Sequence, residues 1–171
     1  MIVTAAYCDL MARYNLWQNQ SLVAAADGLP PEARAKERGA FFGSIAATFS
    51  HLLWVDLAWM ARFDGGAAPG GGIPDSAARF AEWDAFKTLR AETDTRILSW
   101  VATLDEAALA RDLAWHSGAL GRDVTRPLGL CVAHFFNHQT HHRGQIHAML
   151  TAAGARPQDT DLFVMPEDVG R

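Results

Sequence analysis

Cysteine is scarce in this chain. Cys8 and Cys131 are its only two, far apart and in no CxxC pair. That excludes a disulfide framework and a paired-cysteine zinc site, and suits a reducing, cytoplasmic setting or two simple buried thiols. Basic runs are missing as well. Fifteen Lys and Arg stand against nineteen Asp and Glu, for a net charge of −4, so nucleic acid is not an expected partner. No apolar run is free of polar groups, since the most apolar segment, 43–63, contains His51, Asp56 and Arg62. A membrane span is therefore not expected. The N-terminus has no basic region and Asp9 interrupts its apolar residues, so no signal peptide is expected. There is no GxSxG, no Walker loop, no HExxH and no Glu-x-x-His pair, which sets aside several hydrolase, nucleotide and di-iron chemistries. The glycine tract 65–74 lacks the context of a GxGxxG loop and reads as a linker. With 171 residues, half of them apolar, the chain is expected to form one globular domain, 1–171.

What the chain has is histidine, concentrated. Of seven histidines, four lie within nine residues: His134, His138, His141 and His142. Leu128, Val132, Phe135, Ile146, Met149 and Leu150 flank them at helical spacing, so the segment reads as one long helix. Projected at ~100° per residue, His142 lies ~40° and His138 ~80° from the centre of the apolar face. His134 and His141 lie more than ~120° away and lean toward solvent. One ion cannot take His134, His138 and His142 together, because eight residues rise ~12 Å. Cys131 is ~16 Å along the axis from His142 and is excluded in the same way. An inward pair one turn apart can share one metal with bonds of ~2.0–2.1 Å. His138 and His142 are that pair, and they need a third ligand from another helix.

Taken in order, residues 3–28 carry a helical period ended by Gly28 and Pro30-Pro31. Residues 32–40 read as a charged, solvated connection. A second helix, 43–63, is apolar nearly all round and so is buried on more than one side. The glycine tract then forms a crossover within one domain, long enough to run back ~30 Å at ~3.3 Å per residue and leave the second and third helices parallel. The third helix is expected over 76–103, with Asp75 or Ser76 as N-cap. Residues 111–127 lose the helical period and read as a short hairpin around Gly118-Ala-Leu-Gly121. Pro127 opens the histidine helix and Gly154 closes it. In the tail after Pro157, Leu162-Phe-Val-Met165 is expected to fold back on the helices. The fold class is all-α, a four-helix bundle with a long crossover between helices 2 and 3 and a hairpin before helix 4.

Three histidines remain as candidates for the third ligand. His147 points ~100° off the core side of its own helix and reads as a surface residue. His116 sits in the hairpin. His51 lies midway along the most buried helix, where it needs a partner, and a metal or a backbone group would serve equally. The helical projection does not settle its direction.

The chain resembles the DinB/YfiT-like family of small bacterial four-helix bundles over nearly its whole length. Tyr14-Asn-Leu-Trp17 is similar to that family's first-helix signature, Ser50-His51-Leu-Leu with Asp56 and Trp59 to its second-helix segment, and Asn137-His138-Gln-Thr-His141-His142-Arg-Gly-Gln145 to its fourth-helix motif. The resemblance implies an up-down-down-up bundle and a metal site of His51, His138 and His142. It implies nickel or zinc, and an activity of the thiol S-transferase or isomerase type using a low-molecular-weight thiol.

Three neutral imidazoles leave a divalent ion its full charge and an open position, the pattern of catalytic rather than structural zinc. Water or an external thiolate can fill that position. Around the ligands, Gln145 and Asn137 are either orienting groups or ordinary helix surface. Asp56 either bonds a ligand imidazole or caps a neighbouring helix. Arg143 either meets an anionic substrate or cofactor or is a solvated side chain. A metal-dependent hydrolase and a non-enzymatic, stress-related metal-binding bundle are the competing functions. Trp54, Trp59, Trp83 and Trp100 exceed what one bundle interior needs, so a homodimer is expected.

Overall fold

The computed structural model describes residues 2–171 and is mostly helical, with one small two-stranded sheet. Helix α1, Ala5–Asp27, starts where the Thr4 hydroxyl accepts from the Tyr7 amide and stops at Gly28, before the proline pair. A short helix α2, Pro31–Ala35, occupies part of the stretch expected to be a plain connection; proline at its first position suits a helix start, and it buries no residue. Helix α3, Ile45–Asp64, is capped by Ser44 and ended by Gly65 at φ 75°.

The third long helix begins later than its sequence pattern indicates. Residues Ile73–Ala78 form a 3-10 turn, and α4 runs over Trp83–Val101. Tertiary hydrogen bonds are the reason. The Ser76 carbonyl accepts from the Ser50 hydroxyl at 2.6 Å, and Ser50 Oγ accepts from the Phe80 amide at 3.0 Å, so this segment is tied to α3 before a helix can propagate. Asp75 accepts from the Gly72 amide within the local turn, and Glu82 holds the cap position of α4.

After a short α5, Glu106–Leu109, comes the expected hairpin. Strands β1, Asp112–Ser117, and β2, Arg122–Pro127, pair antiparallel with His116 opposite Asp123. Helix α6, Leu128–Ala152, follows without a break; Pro127 sits just before its first residue, and Gly154 at φ 85° closes it.

The four long helices pack side by side, α1 and α3 each against both α4 and α6. Phe63 at the end of α3 meets Phe135 near the start of α6 and stacks on Trp100 at the end of α4. At the other end Phe49 meets Phe86. One apolar cluster includes Cys8, Met60, Ile97 and Phe135, and a second includes Leu22, Phe49, Phe86 and Ile146.

A buried polar layer lies between the clusters along α1, α4 and α6. Arg90 donates to Asp56 at 2.6 Å and to Asp94 at 2.8 Å. Asn15 and Asn19 donate to Asp94, and Gln139 donates to Asp56. Arg143 donates to Asn15. The layer thus joins all four long helices, with two carboxylates balanced by two guanidiniums. Burial pushes the Asp94 carboxyl up to about 6, against the pull of Arg90.

The tail does return to α1, but through polar contacts. Tyr14 Oη donates to the Thr160 carbonyl at 2.6 Å, and Arg13 Nε to the Val169 carbonyl at 2.8 Å. The apolar group expected to anchor it does not, since Phe163 is 87% exposed. Among the described residues, no helix is long and apolar enough to cross a membrane.

Candidate metal centre

Of the seven histidines, the structure brings His51, His138 and His142 together. One ring nitrogen from each lies within 4.8 Å of the others. Among the described residues this is the one group of three or more His, Cys, Asp or Glu side chains so placed. His138 and His142 are one turn apart on α6, and their Nε2 atoms are 3.1 Å apart. His51 reaches them from α3, its ring centroid 5.5 Å from that of His138 and 4.8 Å from that of His142.

Hydrogen bonds at the far side of two rings fix which nitrogen faces the cluster. Ser76 Oγ spends its only proton on the Ile73 carbonyl at 2.7 Å, so it must accept from His51 Nδ1 at 2.8 Å. Gln145 Oε1 likewise accepts from His142 Nδ1 at 2.8 Å. Both imidazoles therefore keep a bare Nε2. Burial pulls the His51 pKa down to about 4 and that of His138 down to about 3, with each lowered further by the neighbouring histidines. His142 is lowered by burial too, opposed by Gln145. Neutral rings are the form a metal needs. The bare Nε2 of His142 accepts from His138 Nε2, whose proton a metal ion would displace. The 3.1 Å contact between His138 and His142 is also close to the ~3.3 Å separation of two ligands on a tetrahedral ion with bonds of ~2.0–2.1 Å. The cluster can hold a divalent metal ion.

Phe42, in the loop before α3, stacks on His51 with centroids 3.8 Å apart and lies 5.6 Å from His142. On another side the cluster borders a cavity of about 890 Å³ lined by His51, His138, Trp54, Trp59, Trp115 and the crossover. The crossover is held as a wall by the Trp54 indole, which donates to the Gly70 carbonyl at 2.8 Å. Gly70 and Gly71 have φ of 69° and 67°, a left-handed pair that only glycine adopts readily.

The other expected residues fall in distinct places. Gln145 orients His142, as one reading of it required, and also contacts His141 at 3.2 Å. Asn137 is exposed. Asp56 neither bonds a ligand imidazole nor caps a helix. It lies five residues past His51, ~140° round the helix, and faces Arg90 and Gln139. Arg143 is buried rather than solvated; it faces α1, bonded to Asn15 and 5.5 Å over the Tyr14 ring, and does not line the cavity. His116 bonds its cross-strand neighbour Asp123 on the hairpin surface. His134 is exposed yet lines the cavity. Burial pushes the Cys8 thiol up to about 11 and that of Cys131 up as well, so neither is a ready nucleophile.

Ser76, Phe42, Gln139 and Trp115 escaped the sequence reading. Ser76 carried a cap signal that competed with its real role. The others make contacts across long sequence separations, and no local pattern marks them.

Two comparisons bear on this site. A family model described as the DinB family matches residues 1–168. The chain is also 26% identical over 162 residues to Protein DinB of Bacillus subtilis (strain 168), covering 88% of this chain and 90% of that protein.

Proposed function

The chain belongs to the DinB family, and from that premise we propose that it is a metal-dependent enzyme of the thiol S-transferase or isomerase type, with His51, His138 and His142 as the ligands. The observation that carries the reading is the convergence of three neutral imidazoles, with no fourth ligand among the described residues, at the wall of a large apolar cavity. Sites of that make-up leave a position for a reactant, whereas structural sites are closed. Nickel or zinc is the expected ion, since imidazole suits both. When bound, such an ion supplies positive charge that lowers the pKa of a thiol or water reaching it and polarises an electrophile.

The protein's part is positioning. Ser76 and Gln145 fix two of the three rings, and Phe42 covers the His51 face. The cavity walls exclude water from a substrate held beside the triad. Because Cys8 and Cys131 are buried and their thiols hold their protons, the nucleophilic sulfur has to come from outside, as a low-molecular-weight thiol. The reading is of one cytoplasmic domain, in keeping with two free cysteines. Its connectivity is taken as up-down-down-up, supported by the contacts of Phe63 with both Phe135 and Trp100 and of Phe49 with Phe86.

The test supplies electrophiles together with glutathione, bacillithiol or mycothiol to the metal-loaded protein and to His138→Ala. Turnover that needs both the thiol and an intact His138 is expected, rising with pH as the thiol ionises. Equal turnover by both proteins, or turnover indifferent to the thiol, would sink it in favour of a hydrolase or a binding protein.

A further inference from the structure

The cavity beside the histidines contains a cation that no carboxylate answers. Arg62, in the last turn of α3, is half-buried and lines the cavity, its guanidinium 4.6 Å over the Trp59 ring and 6.0 Å from that of Trp115. Among the described residues it has no ion-pair partner. The acid nearest in sequence, Asp64, is taken by Arg96 at 2.6 Å. Arg90, the deeply buried arginine of α4, is by contrast paired twice. Burial draws the Arg62 pKa down, yet a guanidinium remains charged at neutral pH. Face stacking on indole leaves its in-plane N–H edge free for a ligand.

The rest of the lining narrows the ligand. Among the described residues no Asp or Glu lines the cavity, so an ammonium group would find no counter-charge there and would meet the like charge of Arg62. Arg62 is its single permanent charge, with no lysine and no second arginine, which fits one carboxylate better than a dianionic phosphate. Trp54, Trp59 and Trp115 offer flat apolar faces. Trp59 also packs on His134, centroids 5.3 Å apart, and His134 precedes His138 by four residues, ~6 Å of helix rise. Along α3, Arg62 lies eleven residues past His51, ~16 Å of helix rise. The guanidinium, reaching back over Trp59, stands ~10–15 Å from the triad, a gap that a fused-ring skeleton with its substituents spans.

We propose that the cavity binds an aromatic carboxylate, its carboxylate on Arg62, its rings among the three tryptophans and its far end at His51 and His138. The assignment of the far end as the reacting end rests on the enzyme reading above; the grip of Arg62 does not.

The test measures binding of 2-naphthoate and its neutral isostere 2-naphthamide by tryptophan fluorescence, to the wild-type protein, Arg62→Met and His138→Ala. Methionine keeps the packing volume near the indoles and removes the charge. The acid is expected to bind the wild type at least about tenfold more tightly than the amide, in line with a charge-assisted hydrogen bond. That preference should vanish in Arg62→Met, with amide affinity unchanged, and persist in metal-depleted His138→Ala. Equal binding of acid and amide to the wild type overturns the proposal without recourse to any variant. So does a preference that survives in Arg62→Met but is lost in His138→Ala, which would put the carboxylate on the metal. If the wild type holds no metal yet shows the Arg62-dependent preference, the enzyme reading fails and this one stands.

Discussion

Ser76 decides how His51 presents itself. Its hydroxyl accepts the Nδ1 proton and so turns the bare Nε2 toward His138 and His142. Ser76→Ala should leave a buried N–H without an acceptor, costing about 1–3 kcal/mol of stability in guanidinium titrations. It should also weaken metal binding about tenfold or more in chelator competition, as the loss of an orienting partner does. Unchanged metal affinity would mean that the ring is held by Phe42 alone. The same residues set a pH dependence. In the folded, metal-free protein His51 and His138 titrate at about 4 and about 3, below the ~6.5 of an unfolded chain. Between these values the unfolded state binds more protons, so their contribution is full above ~6.5 and is lost as pH falls toward 4 and 3. Asp94, raised to about 6 from ~3.9, acts in the opposite sense: it favours the fold at low pH, and that contribution is lost as pH rises through 6. His142 and His134 are lowered in the same sense as His51 and His138, and Asp56 is raised by burial as Asp94 is. The histidines outnumber the carboxyls, which predicts a lower urea midpoint at pH 4.5 than at pH 7 for the metal-free protein. An equal or higher midpoint at pH 4.5 would contradict neutral, buried rings.

At the scale of elements, the polar layer fixes how the helices meet. Arg90 on α4 is the hub, since it binds Asp56 on α3 and Asp94, which in turn holds Asn15 and Asn19 on α1. Arg90→Met would leave two buried carboxyls without their counter-charge and should cost about 3–5 kcal/mol. Chemical denaturation reads this directly, and a loss below about 1 kcal/mol would show that the carboxyls escape by taking up protons. Helix ends are legible where stop signals act locally, as at Gly28 before Pro30-Pro31 and at Gly154. The start of α4 was not legible, because the hydrogen bonds that keep 73–80 out of a helix go to Ser50 and His51, on another element.

For the molecule as a whole, a metal at the triad would be an addition to a fold expected to stand without it. Two apolar clusters and the polar layer supply the interior, unlike small domains in which the ion is the core. Chelation should therefore leave the far-UV circular dichroism nearly unchanged, and loss of most helical signal would refute this. The homodimer needs a different argument from the one the tryptophans offered, because Trp54, Trp59 and Trp100 are buried within the chain. It remains as a proposal on the exposed Ile2, Phe41 and Leu130. Light scattering at micromolar concentration should give twice the chain mass, and a clean monomer mass would end the idea.

Sequence alone determined what depends on spacing along one element. Helical periodicity gave the long helices, and the four-residue step from His138 to His142 gave an inward pair on α6. The loss of that period over 111–127 gave the hairpin. Tertiary structure decided what depends on which faces meet. It turned His51 toward that pair and sent Asp56 and Arg143 into the polar layer. It laid the glycine crossover along α3 as a cavity wall, and among the described residues it left Arg62 facing that cavity without a counter-ion. Periodicity reports whether a residue is inside, but on a helix apolar all round, like α3, it carries no direction. Only packing supplies one.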